Sequence, residues 1–275
     1  MNLKRPLITL LTDFGTEDTY VGQMKGVIAA RCPAATVIDL THAVRPQAIE
    51  QGAFLLETAV REFPSGSIHV AVVDPGVGTA RLGLAIRCRR GDRDLFFVGP
   101  DNGLLSCALP DGRRPATAGA VPVSEGAEVV SLGLPKFRLV SSTFHGRDVF
   151  AIAAARLATG DRLDQLGSPV HEMIALPPFE ARASSPGVLQ ARVVHIDRFG
   201  NVIITARASQ FTAPPRAVRI GATRITSFVR TYGDGDGLVA LVGSSGYLEV
   251  AEVNGNAAAR LGVSIGEMVH VEVGG

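Results

Sequence analysis

The sequence predicts an α/β protein in which an amino-terminal, mainly parallel sheet flanked by helices is followed by a small carboxyl-terminal β-barrel domain. Three observations lead there. Short β-rich apolar runs alternate with helix-length amphipathic stretches through the first part of the chain, a pattern that requires crossover connections and hence parallel strands. Beyond Gly187 the pattern changes to short β-rich pieces separated by glycine turns, which suits a barrel or sandwich. Between the two, Leu176-Pro177-Pro178 and Ser184-Ser185-Pro186-Gly187 break periodic structure. The expected boundaries are therefore an α/β domain over 1–173, a linker over 174–187 and a β-barrel domain over 188–275.

The elements follow in order. Leu7 to Leu11 reads as a buried strand ending at Thr12-Asp13-Phe14-Gly15, and Tyr20 to Arg31 has the spacing of an amphipathic helix. Thr36 to Leu40 is a second strand, and Gln47 to Phe63 is a helical stretch with Ala53, Leu56, Ala59 and Val60 on one face. Ser67 to Val73 is the third strand. Gly83 to Cys88 and Asp94 to Val98 form two more, joined by the polar turn Arg90-Gly91-Asp92-Arg93. Ala116 to Val140 mixes strand and loop, and Ser142 to Asp148 introduces an Ala-rich helix over Val149 to Leu157. In the second domain six strands are expected: Val188–Ile196, Val202–Thr205, Ala217–Ile220, Leu238–Val242, Tyr247–Val253 and Met268–Val273.

Composition narrows the function. With 46% hydrophobic residues in 275, the chain has ample material for a buried core. Its 27 basic and 26 acidic residues leave a formal charge of +1 with no long block of either sign, which disfavours nucleic acid and membrane surfaces as the main partner. The run Leu7 to Leu11 is too short for a signal or a membrane span, so a cytoplasmic location is expected. Cys32, Cys88 and Cys107 are far apart and read as reduced packing residues.

Four loops hold the residue types that carry chemistry: Asp13; Asp74 with Arg81 in Asp74-Pro75-Gly76-Val77-Gly78-Thr79-Ala80-Arg81; Asp101 with Asn102; and His145 with Arg147 and Asp148. Ligands of open α/β sheets sit beyond the carboxyl ends of the strands, where these loops fall. An acid, an arginine and a histidine gathered at one sheet edge can activate a water. Taken singly, each also reads as a turn Asp, a surface Arg or a helix-capping His. In the second domain, Asp197-Arg198-Phe199-Gly200-Asn201 places an acid, an aromatic ring and an amide within one turn, and the Asn amide has the donor and acceptor that an adenine edge requires. Histidines at metal-ligand spacing and EF-hand loops are missing from the sequence, so no metal is expected, and without GxGxxG or GxxxxGK[ST] a nucleotide-phosphate site has little support.

Taken together the segments resemble the S-adenosylmethionine hydroxide adenosyltransferases, or S-adenosylmethionine hydrolases, relatives of fluorinating and chlorinating enzymes that use the same substrate. The matching stretches are Thr12–Gly15, Tyr20–Gly26, Asp39–His42, Asp74–Thr79, Pro100–Gly103, Thr143–Asp148, Phe199–Asn201 and Gly246–Val250, in the family's order over nearly the whole chain. The resemblance implies a homotrimer with active sites between subunits. It also implies hydrolysis of S-adenosylmethionine to adenosine and L-methionine by an activated water, with the water-activating set at Asp74, Arg81 and His145. By the same resemblance Asp13 holds the ribose diol, Asn201 reads the adenine edge with Phe199 packing by the base, and Asn254 contributes backbone to the adenine pocket. Asp197, Ser244 and Ser245 are implied at the methionine end.

Halogenating relatives do not keep Asp, Arg and His at the three catalytic positions and carry an extra loop after the third strand, whereas here a short segment separates Arg81 from Pro100. Two departures stand out. The aromatic that stacks on the nucleoside in the halogenating enzymes has no clear counterpart near Pro46-Gln47, and Ser245 stands where a halogenase has arginine. The alternatives to a hydrolase are a halide-using adenosyl halogenase of the same fold and a non-catalytic nucleoside-binding protein.

Overall fold

The computed structural model describes residues 5–123, 125–133 and 140–274. The first four residues, and 134–139 of the strand-and-loop region expected over 116–140, lie outside the described residues. The chain forms two compact units, Met1–Pro178 and Phe179–Gly275.

The first unit runs β1 (Leu7–Thr12), α1 (Tyr20–Arg31), β2 (Thr36–Thr41), α2 (Ile49–Ala59), β3 (Ile68–Val72), β4 (Gly83–Arg90), β5 (Arg93–Pro100), β6 (Gly119–Pro122) and β7 (Ala127–Leu132). It continues through a π-helical turn at Gly146–Phe150 into α3 (Ala151–Ala158), then α4 (Leu163–Leu166), β8 (Gly167–Pro169) and β9 (Glu172–Ala175). Seven strands make one sheet in the order β2-β1-β3-β5-β4-β7-β8, while β6 and β9 pair separately. The sheet is mixed: β2, β1, β3 and β5 are parallel, and β4, β7 and β8 extend it antiparallel. The change of direction comes from the two-residue connection Gly91-Asp92 between β4 and β5, which makes a hairpin and leaves no room for a crossover helix.

Strand periodicity sorts the residues between two faces. Ile8, Leu10, Val70 and Val72 join Met24 and Ile28 of α1 and Ala151 and Ala154 of α3 in the main core. On the other face α2 lies close enough that a Cβ on Gly52 would stand 2.9 Å from Leu104 and 3.1 Å from Val73. The helix expected to begin at Gln47 begins instead at Ile49, because Gln47 takes a left-handed backbone (φ 64°) and gives its N–H to Asp13.

His69 of β3 is wholly buried, with its ring between Phe63 and Phe97 and Nδ1 2.8 Å from the Thr9 hydroxyl. Burial pushes its pKa down from 6.5 to about 4. Between those values the unfolded chain binds a proton that the folded chain refuses. The associated stability is therefore fully present above pH 6.5 and is lost as pH falls toward 4, by about 3 kcal/mol in all. Urea unfolding followed from neutral pH to about pH 4.5 should show this slope, and the double variant Thr9→Val with His69→Leu should flatten it by roughly 1.4 kcal/mol per pH unit. Equal slopes in the two proteins would discard the assignment.

The second unit contains β10 (Arg182–Ser185), β11 (Val188–Ile196), β12 (Val202–Arg207), β13 (Ala217–Ile220), β14 (Thr223–Ile225), β15 (Leu238–Val242), β16 (Tyr247–Glu252), α5 (Ala257–Leu261) and β17 (Met268–Glu272). The order is β14-β13-β17-β11-β12-β16-β15, with β10 beside β11, and all pairs are antiparallel. Residues just after β14 bond back to β15 through Val229 N–H to Ala240 O (3.0 Å) and Ala240 N–H to Ser227 O (2.8 Å), which curls the sheet into a barrel. Val193, Val202, Ile204, Val218, Leu248, Val250, Val269 and Val271 fill its core. The stretch read as a linker, 174–187, holds the end of β9 and all of β10.

Candidate active site

In the first unit, strand register sets the site. Thr12 of β1 pairs with Val72 of β3, and Val70 of β3 with Val98 of β5, so the three parallel strands end at one level and present Asp13, Asp74 and Asp101 along the same carboxyl edge. Arg81 lies at the far end of the loop that begins at Asp74. Its Nε donates to Asp74 Oδ1 at 2.9 Å and its Nη2 donates to Oδ2, a two-point match of guanidinium and carboxylate. Both side chains are nearly buried, 12% exposed for Arg81 and 4% for Asp74. The Phe150 ring covers the guanidinium at 5.3 Å and restricts its plane.

Arg81 Nη2 also lies 3.0 Å from His145 Nδ1. A guanidinium has donors only, so this ring nitrogen must accept, and the neutral imidazole carries its proton on Nε2. Burial lowers the His145 pKa and Arg81 lowers it further, with Asp74 and Asp148 pulling the other way. The Asp, Arg and His predicted to act together are thus one chain of contacts: a carboxylate held by a cation, the cation fixing a neutral histidine, and the histidine presenting an N–H.

The local sequence explains the placement. Asp148 is fully buried, accepts the Ser141 N–H at 2.9 Å and pairs with Arg147 at 2.8 Å, folding 141–148 into a closed loop that ends at His145 and the π-helical turn. Gly78 has φ +78°, and a Cβ there would stand 2.4 Å from the Ser142 carbonyl oxygen, so only glycine lets the Asp74 loop lie against the His145 loop. Asp13 uses Oδ2 to accept the Gln47 N–H at 2.8 Å and keeps Oδ1 uncommitted among the described residues.

The second unit holds a separate polar cluster. Asp197 Oδ1 accepts the N–H groups of Phe199 and Asn201 at 2.9 Å each, and Oδ2 accepts Asn201 Nδ2 at 3.0 Å. Because a carboxylate only accepts, it fixes which end of the Asn201 amide faces it and leaves Oδ1 and the second Nδ2 proton for a ligand. Phe199 projects from the same turn, 75% exposed. Gly200 (φ +85°) packs against Asn256, the cap of α5, bringing the exposed Asn254 segment beside this turn. Ser244 and Ser245 sit in the β15–β16 turn, toward the other end of β16 from Asp197: Gly246 meets Ala208 there, whereas Val202, next to Asn201, pairs with Val250.

Glu249 and Tyr232 belong to this cluster and were given no role by sequence reasoning. Glu249 is 7% exposed and accepts the Tyr232 hydroxyl at 2.6 Å. Burial raises its carboxyl pKa, with Asp197 adding to the effect, and the bond to Glu249 pushes the Tyr232 phenol up to about 12. A charged residue within an apolar strand run, Tyr247-Leu248-Glu249-Val250, was the available signal.

Known proteins resemble this chain along nearly its whole length. Residues 8–167 match the SAM hydroxide adenosyltransferase N-terminal domain and residues 191–270 the corresponding C-terminal domain. A protein of Salinispora arenicola named (R)-S-adenosyl-L-methionine hydrolase is 40% identical over 273 residues, 98% of each chain. A fluorinase of Actinopolyspora mzabensis is 29% identical, over 72% of this chain and 70% of its own. A crystal structure of an uncharacterized conserved protein from Thermotoga maritima superposes with a TM-score of 0.83 at 29% identity, covering 96% of this chain and 99% of that one. Two matched domains spanning most of the chain, in order and over the very loops that carry the polar clusters, place this protein in the SAM hydroxide adenosyltransferase family.

Proposed function

We propose that this enzyme hydrolyses S-adenosylmethionine to adenosine and L-methionine by in-line attack of water on the ribose 5′ carbon. The observation that carries the reading is Arg81 joining Asp74 to His145 at the carboxyl edge of the sheet. Relatives named for this hydrolysis, aligned over nearly their full length, support it. The water oxygen forms a bond to C5′ while the C5′–S bond breaks, its electron pair returning to sulfur as the neutral thioether of methionine, and one water proton is released. A sulfonium is already a good leaving group, so the protein's task is to hold and aim the water, an effect worth up to about 7–11 kcal/mol in favourable cases. His145 Nε2–H can donate to the water oxygen and fix its direction, and the Asp74–Arg81 pair holds that imidazole in place. Following the family resemblance, Asp13 Oδ1 suits a ribose hydroxyl, Asn201 the adenine edge with Phe199 and Asn254 beside it, and Asp197 the methionine ammonium, with Ser244 and Ser245 assigned to the methionine end.

The same reading includes a cytoplasmic homotrimer with sites between subunits and no requirement for metal or a second cofactor. Turnover in oxygen-18 water tests it. Adenosine should carry the label at its 5′ oxygen, methionine should carry none, chelation should leave the rate unchanged, and added halide should yield no halogenated nucleoside. A halogenated product would favour the halogenase reading, and binding without turnover the nucleoside-binding one. Sedimentation of the same preparation at assay concentration should give three chain masses, and a fully active monomer would rule out the shared sites.

A further inference from the structure

We infer that Asn102 is a positioning residue for the Asp74–Arg81 pair, its side-chain amide acting with the Asp101 backbone as a clip that holds both ends of the loop between them. The inference rests on the reading that this pair and His145 orient the attacking water.

The loop from Asp74 to Arg81 is bounded by Val73 and Leu82, and both of their carbonyls are held by the same two consecutive residues. Asn102 Nδ2 donates to Val73 O at 2.9 Å, and the Asp101 N–H donates to Leu82 O at 2.9 Å. The paired register of β3 and β5 ends at Val70 and Val98, so the Val73 carbonyl lies beyond the ladder and takes a side-chain donor where the next backbone donor would otherwise be. Asn102 cannot turn its amide over. Its Oδ1 accepts the Leu104 N–H at 3.1 Å, and exchanging the two ends would set oxygen against the Val73 oxygen and N–H against N–H.

The clip is itself anchored. Asp101 Oδ1 accepts the Ile174 N–H of β9 at 2.8 Å, and Ser106 Oγ accepts the Leu176 N–H at 2.7 Å. Gly103 (φ +95°) would meet Leu176 at 2.9 Å if it carried a Cβ, so the turn after the clip is pressed against the same segment. The Val73 carbonyl belongs to the peptide that joins Asp74 directly, and one further peptide unit separates the Leu82 carbonyl from Arg81. A small rotation at Val73 therefore swings the Asp74 carboxylate; Arg81 follows through its bonds to that carboxylate, and His145 through its contact with Arg81.

The test compares Asn102→Asp, which sets an acceptor against the Val73 carbonyl, with Ile28→Ala, a core truncation remote from the loop. Asn102→Asp should lower the single-turnover rate by about 10–100-fold while adenosine affinity by calorimetry changes less than about threefold. The Arg81 Nε–H proton resonance should move toward that of a free guanidinium. Ile28→Ala should lose thermal stability with neither change. Asn102→Ser, which keeps a donor, should fall between Asn102→Asp and the parent, and it replaces Asn102→Asp if that protein does not fold. A full rate with an unmoved Arg81 resonance overturns the inference, as does a rate loss that simply tracks thermal stability across all the variants. Asp74→Asn in the same assay separates the two levels: if it loses the rate while Asn102→Asp keeps it, only the clip is wrong, and if Asp74→Asn itself keeps the rate, the reading of the catalytic set falls and the clip with it.

Discussion

Alanine at Asp74, Arg81 or His145 should each slow the single-turnover hydrolysis of S-adenosylmethionine by about a thousandfold, with affinity for the substrate nearly unchanged. The split follows from what these groups touch. They contact one another and, in the proposed mechanism, the water; the interaction lost is made mainly as the C5′–O bond forms. Arg81 is the hinge of the set, because its Nη2 alone reaches both Asp74 and His145. Without it the His145 ring loses the donor that fixes its tautomer, and Asp74 is left as a nearly buried carboxylate without its cation. The double variant Arg81→Ala with His145→Ala should then be little slower than the poorer single one, since groups that act as a unit lose most of their effect at the first substitution. Rapid-quench rates and calorimetric affinities decide it. A His145→Ala protein that keeps its rate but no longer binds substrate would return His145 to the role of a helix-entry residue.

The second large effect is expected on affinity. Asp197→Ala should weaken binding of S-adenosylmethionine by at least about a hundredfold, roughly 3 kcal/mol, while changing the rate from the bound state by less than about fivefold. Asp197 has two tasks in the proposed complex. Its carboxylate holds the turn through three bonds, two from backbone N–H groups and one from the Asn201 amide, and it offers negative charge to the methionine ammonium. Adenosine has no ammonium, so its affinity reports the turn alone and should fall less than that of S-adenosylmethionine. Equal losses for the two ligands would show that Asp197 acts only by shaping the turn.

Much of the fold was legible because it rests on local periodicity. The helix at Tyr20–Arg31 and the strands Val188–Ile196, Ala217–Ile220 and Leu238–Val242 were read with the ends they have in the structure, each being an apolar pattern cut off by turn residues. Elements that depend on distant partners were not. The helix expected from Gln47 starts late because Asp13, far back in the chain, recruits the Gln47 amide. The strands Arg182–Ser185 and Thr223–Ile225 are short and largely polar and exist by pairing with Val188–Leu189–Gln190 and Ala217–Ile220. At the candidate site, sequence drew attention to the loops that the fold brings together at Asp74, Arg81 and His145, but not to the amide of Asn102 reaching Val73 or to Glu249 beneath Tyr232. Each is an ordinary polar residue until folding supplies its neighbour.

The Asp74–Arg81–His145 chain also has an uneven history along the polypeptide. Asp74 and Arg81 are seven residues apart, whereas Arg81 and His145 are 64 apart. Loop-closure entropy rises only with the logarithm of length, yet between these two loops it still makes the second contact about 2 kcal/mol dearer to close than the first. The ion pair can therefore assemble from its own loop, while the histidine must be carried in by the docking of Phe144 and Phe150 into the core against α1 and the sheet. The geometry of the candidate site is consequently tied to the completion of the first unit's core: a chain that has closed only the Asp74–Arg81 loop has the charges of the site but not yet the ring that, in the proposed mechanism, aims the water.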